Sequence, residues 1–463
     1  MEDICDILIE TYNVNKFDSA EKELKQALYE EANVCTDTHP MKIYAKKGDT
    51  TPIRENERTI LKKLIRNHFD PKIQQPMPKF IAGPTTLTVH KSPDEKRMIY
   101  IFGEWHTGIK DCKMFTDEEV EEWNEQNPNK MTIDYFLYEL IKTTSAYLDI
   151  YFEFPAFTKE LYGYNPGFSA SQLNNHMYNL FQKFKKCINK SESRSYEDCE
   201  LARVHYFDSR SIDRGGWSEG ISDVDDLVEK VFELQTMFGE NSFLLISQYM
   251  KLVKDKKVIS ILNSLVSDEQ EFSEFWLKQI NDNKLNTKET KSEKYEESRT
   301  IDSIKRFIET EIVSTAMSYR ELYIKAVKNI FKESNSGGDI EIFYNAFEDL
   351  IGYIIKTSSS IADLYLLSRV FKDFDMTKMT THSNQHLTDQ PNKAYNIIIY
   401  AGNTHAEIYR HFLKEVAGFE EIASTGKSEL NEGETRKHCI DMKTIPQPFF
   451  STWTRTPTEE ESS

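Results

Sequence analysis

The same short pattern occurs twice in this sequence, and it limits the folds that are compatible with it. The apolar run Met98–Phe102 is followed at once by Gly103–His106, which reads Gly-Glu-Trp-His. Near the other end of the chain, the run Ile397–Ala401 is followed by Gly402–His405, which reads Gly-Asn-Thr-His. Short, continuous apolar runs are typical of strands that are buried on both faces of a parallel sheet. The pattern predicts polar groups at the carboxyl ends of such strands, where α/β proteins bind their ligands.

Three further apolar runs have the character of strands. They are Leu87–Lys91, Tyr147–Phe154 and Arg203–Asp208. Between the strands, Ile133–Thr144 and Gln172–Cys187 carry apolar residues at the spacing of a helix. Strand, helix and strand in this order form the crossover unit of a parallel sheet. We therefore expect an α/β fold with a central, mostly parallel sheet flanked by helices.

Residues 223–335 break this alternation, because their apolar residues keep a helical spacing with no strand-like run between them. The segment is interpreted as a helical insertion before the last core strand. A chain of 463 residues also exceeds the usual size of a single hydrophobic core. We divide the chain into a helical N-terminal lead (1–79), a first part of the α/β core (80–222), the helical insertion (223–335), a second part of the core (336–450) and a disordered tail (451–463).

The composition limits the partners and the compartment. The formal net charge is -18 and the sequence pI is about 5.2. Such an acidic surface repels phosphate backbones and anionic lipids, which argues against nucleic-acid and membrane partners. The six cysteines are scattered without a framework spacing, which favours a reducing compartment. Since no apolar stretch reaches the length of a membrane helix, we expect a cytoplasmic protein, and the oligomeric state stays open.

Polar residues follow the predicted strands at four places. They are Glu104 with His106, Glu153, Asp208 with Arg210, and Asn403 with His405. A parallel sheet gathers the carboxyl ends of its strands along one edge, so we expect these side chains to share one site. Taken singly, each has an ordinary explanation as a helix cap, a packed histidine or a surface ion pair.

The chemistry expected of this site is hydrolysis. His405 lies at the start of a predicted helix, where the helix dipole favours a neutral imidazole. Such a ring, oriented by Glu104 or Glu153, can take a proton from water, and Arg210 can stabilise the anionic intermediate. We therefore assign catalytic roles to His106, His405, Glu104, Glu153 and Arg210, and substrate binding to Asn403, Asp208, Arg369 and Tyr365.

The same residues also suit a divalent metal. Two histidines and a carboxylate, here His106, His405 and Glu104, match a metal site with an open position for water. The sequence does not decide between metal-dependent and metal-free hydrolysis, so the cofactor is a divalent metal ion or none. His382 and His386 have the spacing of a helical ligand pair, but their neighbours indicate a solvated loop. The motifs of phosphate loops, dinucleotide folds, zincins and nucleophile elbows are absent.

The two motifs resemble those of a known superfamily. Gly103–His106 is similar to the Gly-Glu-x-His motif of the erythromycin esterases and the ChaN haem-binding lipoproteins. Gly402–His405 is similar to the Gly-Asn-x-His motif of the TraB and Tiki proteins. The resemblance implies an α/β fold with a glutamate at a middle strand end and an arginine between the motifs. Glu153 and Arg210 stand in those places.

This resemblance also implies a class of activity. The esterases open a macrolactone with a histidine base and no metal, whereas Tiki-like members resemble metal-dependent proteases and ChaN-like members bind haem. The style of the sequence is similar to that of members encoded by large DNA viruses. A viral origin would place the protein in the host cytoplasm or the virion.

Three functions from different classes fit these observations. The first is a hydrolase of ester or amide bonds that acts on a small molecule or a peptide. The second is a catalytically inert structural or virion-associated protein that retains the fold. The third is a haem or metal binding protein, against which the lack of a Met or Cys ligand beside the histidines counts. Because a fold alone does not fix a function, the choice depends on the geometry of the site.

Overall fold

The computed structural model describes only part of the chain. The described residues are 74–93, 97–105, 129–144, 146–155, 176–188, 199, 201–208, 227, 230–231, 233–235, 237–239, 242–267, 298–336, 339–371, 394–427 and 438–450. The predictions of a helical lead and of a disordered tail fall outside these residues, apart from positions 74–79. The predicted loop histidines His382 and His386 also lie outside them.

The described strands form one large and one small sheet. They are β1 (Phe80–Ala82), β2 (Thr86–Lys91), β3 (Met98–Glu104), β4 (Lys130–Thr132), β5 (Leu148–Pro155), β6 (Ala202–Asp208), β7 (Asn396–Gly402), β8 (Glu420–Gly426) and β9 (Cys439–Asp441). The large sheet has the order β6-β5-β7-β3-β2-β8, and the small sheet has the order β4-β1-β9. The α/β fold predicted from the sequence, with a mostly parallel central sheet, is confirmed.

The last core strand, β7, determines which strand ends become neighbours. It pairs in parallel with β3 on one side and with β5 on the other. Its residues Ile397–Ala401 are all buried, as expected of a strand covered on both faces. By contrast, β2 pairs antiparallel with β3 and with the edge strand β8. The carboxyl ends of β5, β7 and β3 therefore lie side by side.

The described helices flank the sheet or belong to the insertion. They are α1 (Ile133–Thr143), α2 (His176–Ile188), α3 (Phe243–Leu252), α4 (Lys256–Ser267), α5 (Ser298–Phe307), α6 (Ser314–Ser336), α7 (Ile340–Val370) and α8 (Asn403–His411). A π-helical segment, Ile308–Val313, joins α5 to α6, and another, Phe412–Val416, extends α8. The sequence pattern does not predict the three-residue strands or β8. Three residues are too few to show a period, and most of β8 is exposed.

Contacts divide the chain into two compact units. The first contains residues 1–153, 160–205 and 370–463, and the second contains residues 154–159 and 206–369. Within the second unit, α3, α4, α6 and α7 share an apolar core. In this core the rings of Tyr249 and Phe347 stack with their centroids 4.5 Å apart. The helical unit thus includes α7, which the sequence segmentation assigns to the second part of the α/β core.

The two faces of the large sheet differ in character. What we call the aromatic face is defined by Phe102, Phe152 and Tyr400, whose rings pack on one another. Leu87 lies opposite Phe102 in the β2–β3 register, so the residues next to Leu87 belong to the other face. Alternation along the strands defines that other face, here called the polar face, by Thr86, Thr88, Asp149 and Glu153.

Two described cysteines are joined to each other, although a reducing compartment is expected from the sequence. Cys187 in the last turn of α2 and Cys199 form a disulfide, with their Cα atoms 5.8 Å apart. The spacing of the cysteines in the sequence does not predict this pair. Among the residues that the structure describes, no helix has the length and the hydropathy that a membrane-spanning segment needs. The cytoplasmic location stays a prediction.

Candidate active site at the strand ends

Glu153 and His405, two of the residues predicted to be catalytic, are in contact. Glu153 belongs to β5, His405 belongs to the first turn of α8, and His405 Nε2 lies 3.3 Å from Glu153 Oε1. Their side chains are 5% and 8% exposed, respectively. The pair is thus a buried carboxylate–histidine contact at the carboxyl edge of the sheet.

The direct passage from β7 into α8 places His405 at this edge. β7 ends at Gly402 and α8 begins at Asn403, with no loop between them. Gly402 has φ -57° and ψ 148°, so the backbone stays extended up to the residue before the helix. Because β7 lies between β5 and β3, the first turn of α8 starts beside the ends of both strands.

The Glu153 carboxylate is held at both oxygens. The Gly402 N–H donates to Oε2 over 2.7 Å, and the imidazole of His405 meets Oε1. A carboxylate oxygen only accepts, so in a hydrogen bond across this contact the donor is Nε2 of His405. A base with its ring oriented by a carboxylate is the arrangement that many hydrolases use.

Glu104 has a different partner and lies on the aromatic face. It follows Phe102 by two residues, and the Tyr400 hydroxyl donates to Glu104 Oε2 over 3.0 Å. Burial, and then the charge and hydrogen bond of Glu104, raise the pKa of Tyr400 well above its ordinary value, so the hydroxyl stays a donor. Glu104 and Glu153 therefore project from opposite faces of the sheet, although their strands flank the same strand, β7.

Gly103 and Asn403, one from each motif, interlock on the polar face. Asn403 Nδ2 donates to Thr85 Oγ1 over 2.7 Å, and Asn403 Oδ1 accepts from Thr86 Oγ1 over 2.9 Å. A methyl group on Gly103 would overlap both Asn403 Oδ1 and Thr86 Oγ1, so this position has no room for a side chain. Both ends of the Asn403 amide are engaged within the protein, and its role in substrate binding stays a prediction.

The other predicted residues are placed elsewhere or not described. His106 and Arg210 lie outside the described residues, and Asp208 is the last residue of β6. Tyr365 and Arg369 belong to α7 in the second unit, with the Arg369 guanidinium carbon 4.8 Å from the centroid of the Tyr365 ring. The catalytic and substrate-binding roles of these five residues stay predictions.

A second carboxylate–histidine contact on the polar face is not predicted by the sequence. Arg203 donates to both oxygens of Asp149, over 2.6 and 3.0 Å, and His205 Nε2 lies 3.1 Å from Asp149 Oδ1. Burial would raise the pKa of Asp149, but Arg203 and His205 outweigh burial and hold this pKa below its ordinary value. The signal in the sequence is a single charged residue inside an apolar run, which does not reveal its partners.

The divalent metal site expected from the sequence stays a prediction. Among the described residues, no three His, Cys, Asp or Glu side chains form a group that could hold a metal ion. The predicted set of His106, His405 and Glu104 includes one residue outside that part of the chain. Of the other two, Glu104 projects from the aromatic face, whereas His405 meets Glu153 on the polar face.

The fold and the geometry define a class: an α/β protein with a buried carboxylate–histidine pair at the carboxyl edge of its central strands. Comparisons of the chain with family models, with curated proteins and with solved structures found no match. Membership of the superfamily that the two motifs resemble is therefore a proposal, and its support is the motifs themselves.

Proposed function

We propose that this protein is a hydrolase of ester or amide bonds in which His405 acts as the general base. The observation that carries the proposal is the 3.3 Å contact between His405 Nε2 and Glu153 Oε1 beside the start of a helix. Because the Gly402 N–H holds the other carboxylate oxygen, the ring and the carboxylate are oriented together. The resemblance of the two motifs to those of erythromycin esterases and Tiki-like proteins supports the same class of reaction.

In the proposed reaction, Nδ1 of His405 takes a proton from a water molecule, and the water oxygen attacks the carbonyl carbon of the substrate. The C–O or C–N bond of the substrate then breaks, and the imidazolium returns the proton to the leaving group. Glu153 stabilises the imidazolium while it lasts. Arg210 is the predicted stabiliser of the oxyanion. A base in this role contributes about 10²–10⁴-fold to the rate.

The test is a screen of the full chain against p-nitrophenyl esters of several acyl lengths and against peptide anilides. Each assay is run with a chelator and with added divalent metal ions, which separates metal-free from metal-dependent hydrolysis. His405→Gln and Glu153→Gln are expected to lower kcat by about 10²-fold or more. His411→Gln is the matched control, because His411 is an exposed histidine in the last turn of the same helix. Equal rates in His405→Gln and the control would overturn the proposal.

The alternative is an inert protein in which the pair locks α8 to the sheet. The observation that favours this alternative is the burial of both side chains. A lock predicts no turnover in the screen and a loss of more than about 2 kcal/mol in the free energy of unfolding for His405→Gln. A catalytic pair predicts lost turnover with a loss of no more than about 1 kcal/mol in the free energy of unfolding.

A further inference from the structure

We infer that Arg410 is a positioning residue that fixes His405 against Glu153 through a chain of hydrogen bonds across the polar face. Arg410 lies on α8, five residues after His405, and is buried. The inference rests on the proposed function only for the importance that it gives to His405. The hydrogen-bond chain itself involves no substrate.

The Arg410 guanidinium is anchored on the polar face. Its Nη2 donates to Thr86 Oγ1 over 2.8 Å, and its Nε donates to Thr88 Oγ1 over 3.1 Å. Its Nη1 donates to Glu407, which is 52% exposed. A buried cation needs such acceptors in place of water, so the guanidinium and the two threonines hold one another in position.

From Thr86, the hydrogen bonds continue to Gly103 of the first motif. Each donor along this series faces the same way. Thr86 Oγ1 accepts from Arg410 and donates to Asn403 Oδ1. Asn403 Nδ2 donates to Thr85 Oγ1, which donates in turn to the carbonyl of Gly103 over 3.2 Å. A guanidinium can only donate and a carbonyl can only accept, so both ends of the chain are fixed. Every hydroxyl proton and the orientation of the amide follow from these two ends.

These hydrogen bonds hold α8 at two points on one face of the helix. Asn403 and Arg410 are seven residues apart, which is about two turns, so both side chains meet the β2 and β3 side of the helix. His405 is two residues after Asn403 and is therefore rotated by about 200° from that side. Two anchors prevent the helix from turning about its axis, and this fixes the direction in which His405 meets Glu153.

The test compares two substitutions that each remove one partner of Arg410. Thr86→Val breaks the chain to Asn403 and keeps the shape of the side chain, whereas Glu407→Gln alters only the exposed contact. The readout is the ¹⁵N spectrum of the imidazole of His405 in the full chain labelled with ¹⁵N-histidine, which reports which ring nitrogen carries the proton. We expect one tautomer, with the proton on Nε2, in the wild type and in Glu407→Gln, and a mixture of tautomers in Thr86→Val.

An unchanged His405 spectrum in folded Thr86→Val would overturn the inference. If Thr86→Val does not fold, Arg410→Lys replaces it, because lysine keeps the charge but cannot reach two hydroxyls with one fork. Where the screen finds a substrate, Thr86→Val should lower kcat on the order of tenfold to a hundredfold, with KM unchanged. A changed spectrum in a protein without turnover would support the positioning role and count against the hydrolase.

Discussion

Strand β5 carries two carboxylates on the same face, and each meets a histidine, but the two pairs are built differently. Asp149, near the start of the strand, binds Arg203 through both oxygens in addition to His205. Glu153, near the end of the strand, is held by the Gly402 N–H and by His405. We call the Asp149 cluster the inner pair and the Glu153–His405 contact the outer pair.

The two pairs contain similar types of residue but lie at different positions along β5, and their position determines which elements supply their partners. The partners of the inner pair come from the neighbouring strand β6, so a guanidinium balances the buried carboxylate within the sheet. The outer pair takes its histidine from the first turn of a helix at the sheet edge, where ligands bind in α/β proteins. We therefore expect substitutions of the inner pair to affect stability and substitutions of the outer pair to affect turnover.

The largest effect is expected from removing the cation of the inner pair. Arg203→Met leaves the buried Asp149 charge without its guanidinium partner, which costs about 3–5 kcal/mol in the free energy of unfolding. The folded-state pKa of Asp149 is lowered because Arg203 and His205 outweigh burial. The contribution of Asp149 is thus complete above its unfolded pKa of about 3.9 and is lost as the pH falls below that value.

Urea unfolding of the full chain at pH 7 and near pH 3 measures this contribution. Glu153→Gln is the matched control in the outer pair, since it removes a charge and keeps the shape, and we expect it to cost about 1 kcal/mol. Equal costs for the two substitutions would remove the distinction between the pairs.

His90 extends the comparison to a buried histidine near cations. Its Nε2 lies 2.9 Å from Thr88 Oγ1, and burial, with the charges of Arg410 and Lys414, lowers its pKa to about 4. The unfolded chain therefore binds a proton near pH 6.5 that the folded chain does not. Stability is complete above that pH and declines by about 3 kcal/mol as the pH falls from 6.5 to 4.

The measurement is urea unfolding across this pH range. His90→Gln should flatten the decline, whereas the exposed-site variant His411→Gln should keep it. A decline of the same size in both variants would show that groups other than His90 cause it.

A smaller effect is expected from the interlock that supports the outer pair. Gly103→Ala forces a methyl group against Asn403 Oδ1 and Thr86 Oγ1, which we expect to cost about 1–3 kcal/mol. Gly352→Ala is the matched control, because Gly352 lies inside α7, where a methyl group added to it meets no atom of another described segment within 4 Å. Alanine should stabilise that helix by about 0.5–1 kcal/mol. Thermal unfolding of the two variants should shift in opposite directions, and a parallel shift would contradict the overlap at Gly103.

The smallest effect is expected at the histidine of the inner pair. His205 is 17% exposed, and Arg203 keeps both oxygens of Asp149 paired when the imidazole is removed. His205→Gln should therefore cost about 1 kcal/mol and leave turnover unchanged. His405→Gln, its counterpart in the outer pair, should lower kcat by about 10²-fold or more. Lost turnover in His205→Gln, measured on the same substrates, would break the comparison.

The sequence predicts the elements of this fold better than their arrangement. The runs that became β2, β3, β5, β6 and β7 are visible because each is a local stretch of apolar residues between polar ones. The insertion of β7 between β3 and β5 is not visible, since strand order depends on contacts between residues far apart in the chain. The same limit hides the small sheet, whose strands come from distant segments.

The candidate site shows the same division. Local pattern singles out Glu104, Glu153 and His405, because each is a polar residue at the end of an apolar run. It does not show that Glu104 and Glu153 project from opposite faces, which depends on the register with Tyr400 and on the start of α8. Asp149 is missed because its partner Arg203 lies on another strand, more than fifty residues away.

The residues that can carry chemistry at strand ends are recognisable in the sequence, because apolar runs and the polar residues that end them are local properties of the chain. Which of these residues meet depends on the fold, because strand order, sheet face and helix rotation are set by packing between distant segments. Gly103 illustrates both points. The sequence shows that Gly103 belongs to a motif. The reason why this position requires glycine, the space taken by Asn403 and Thr86, is evident only in the folded protein.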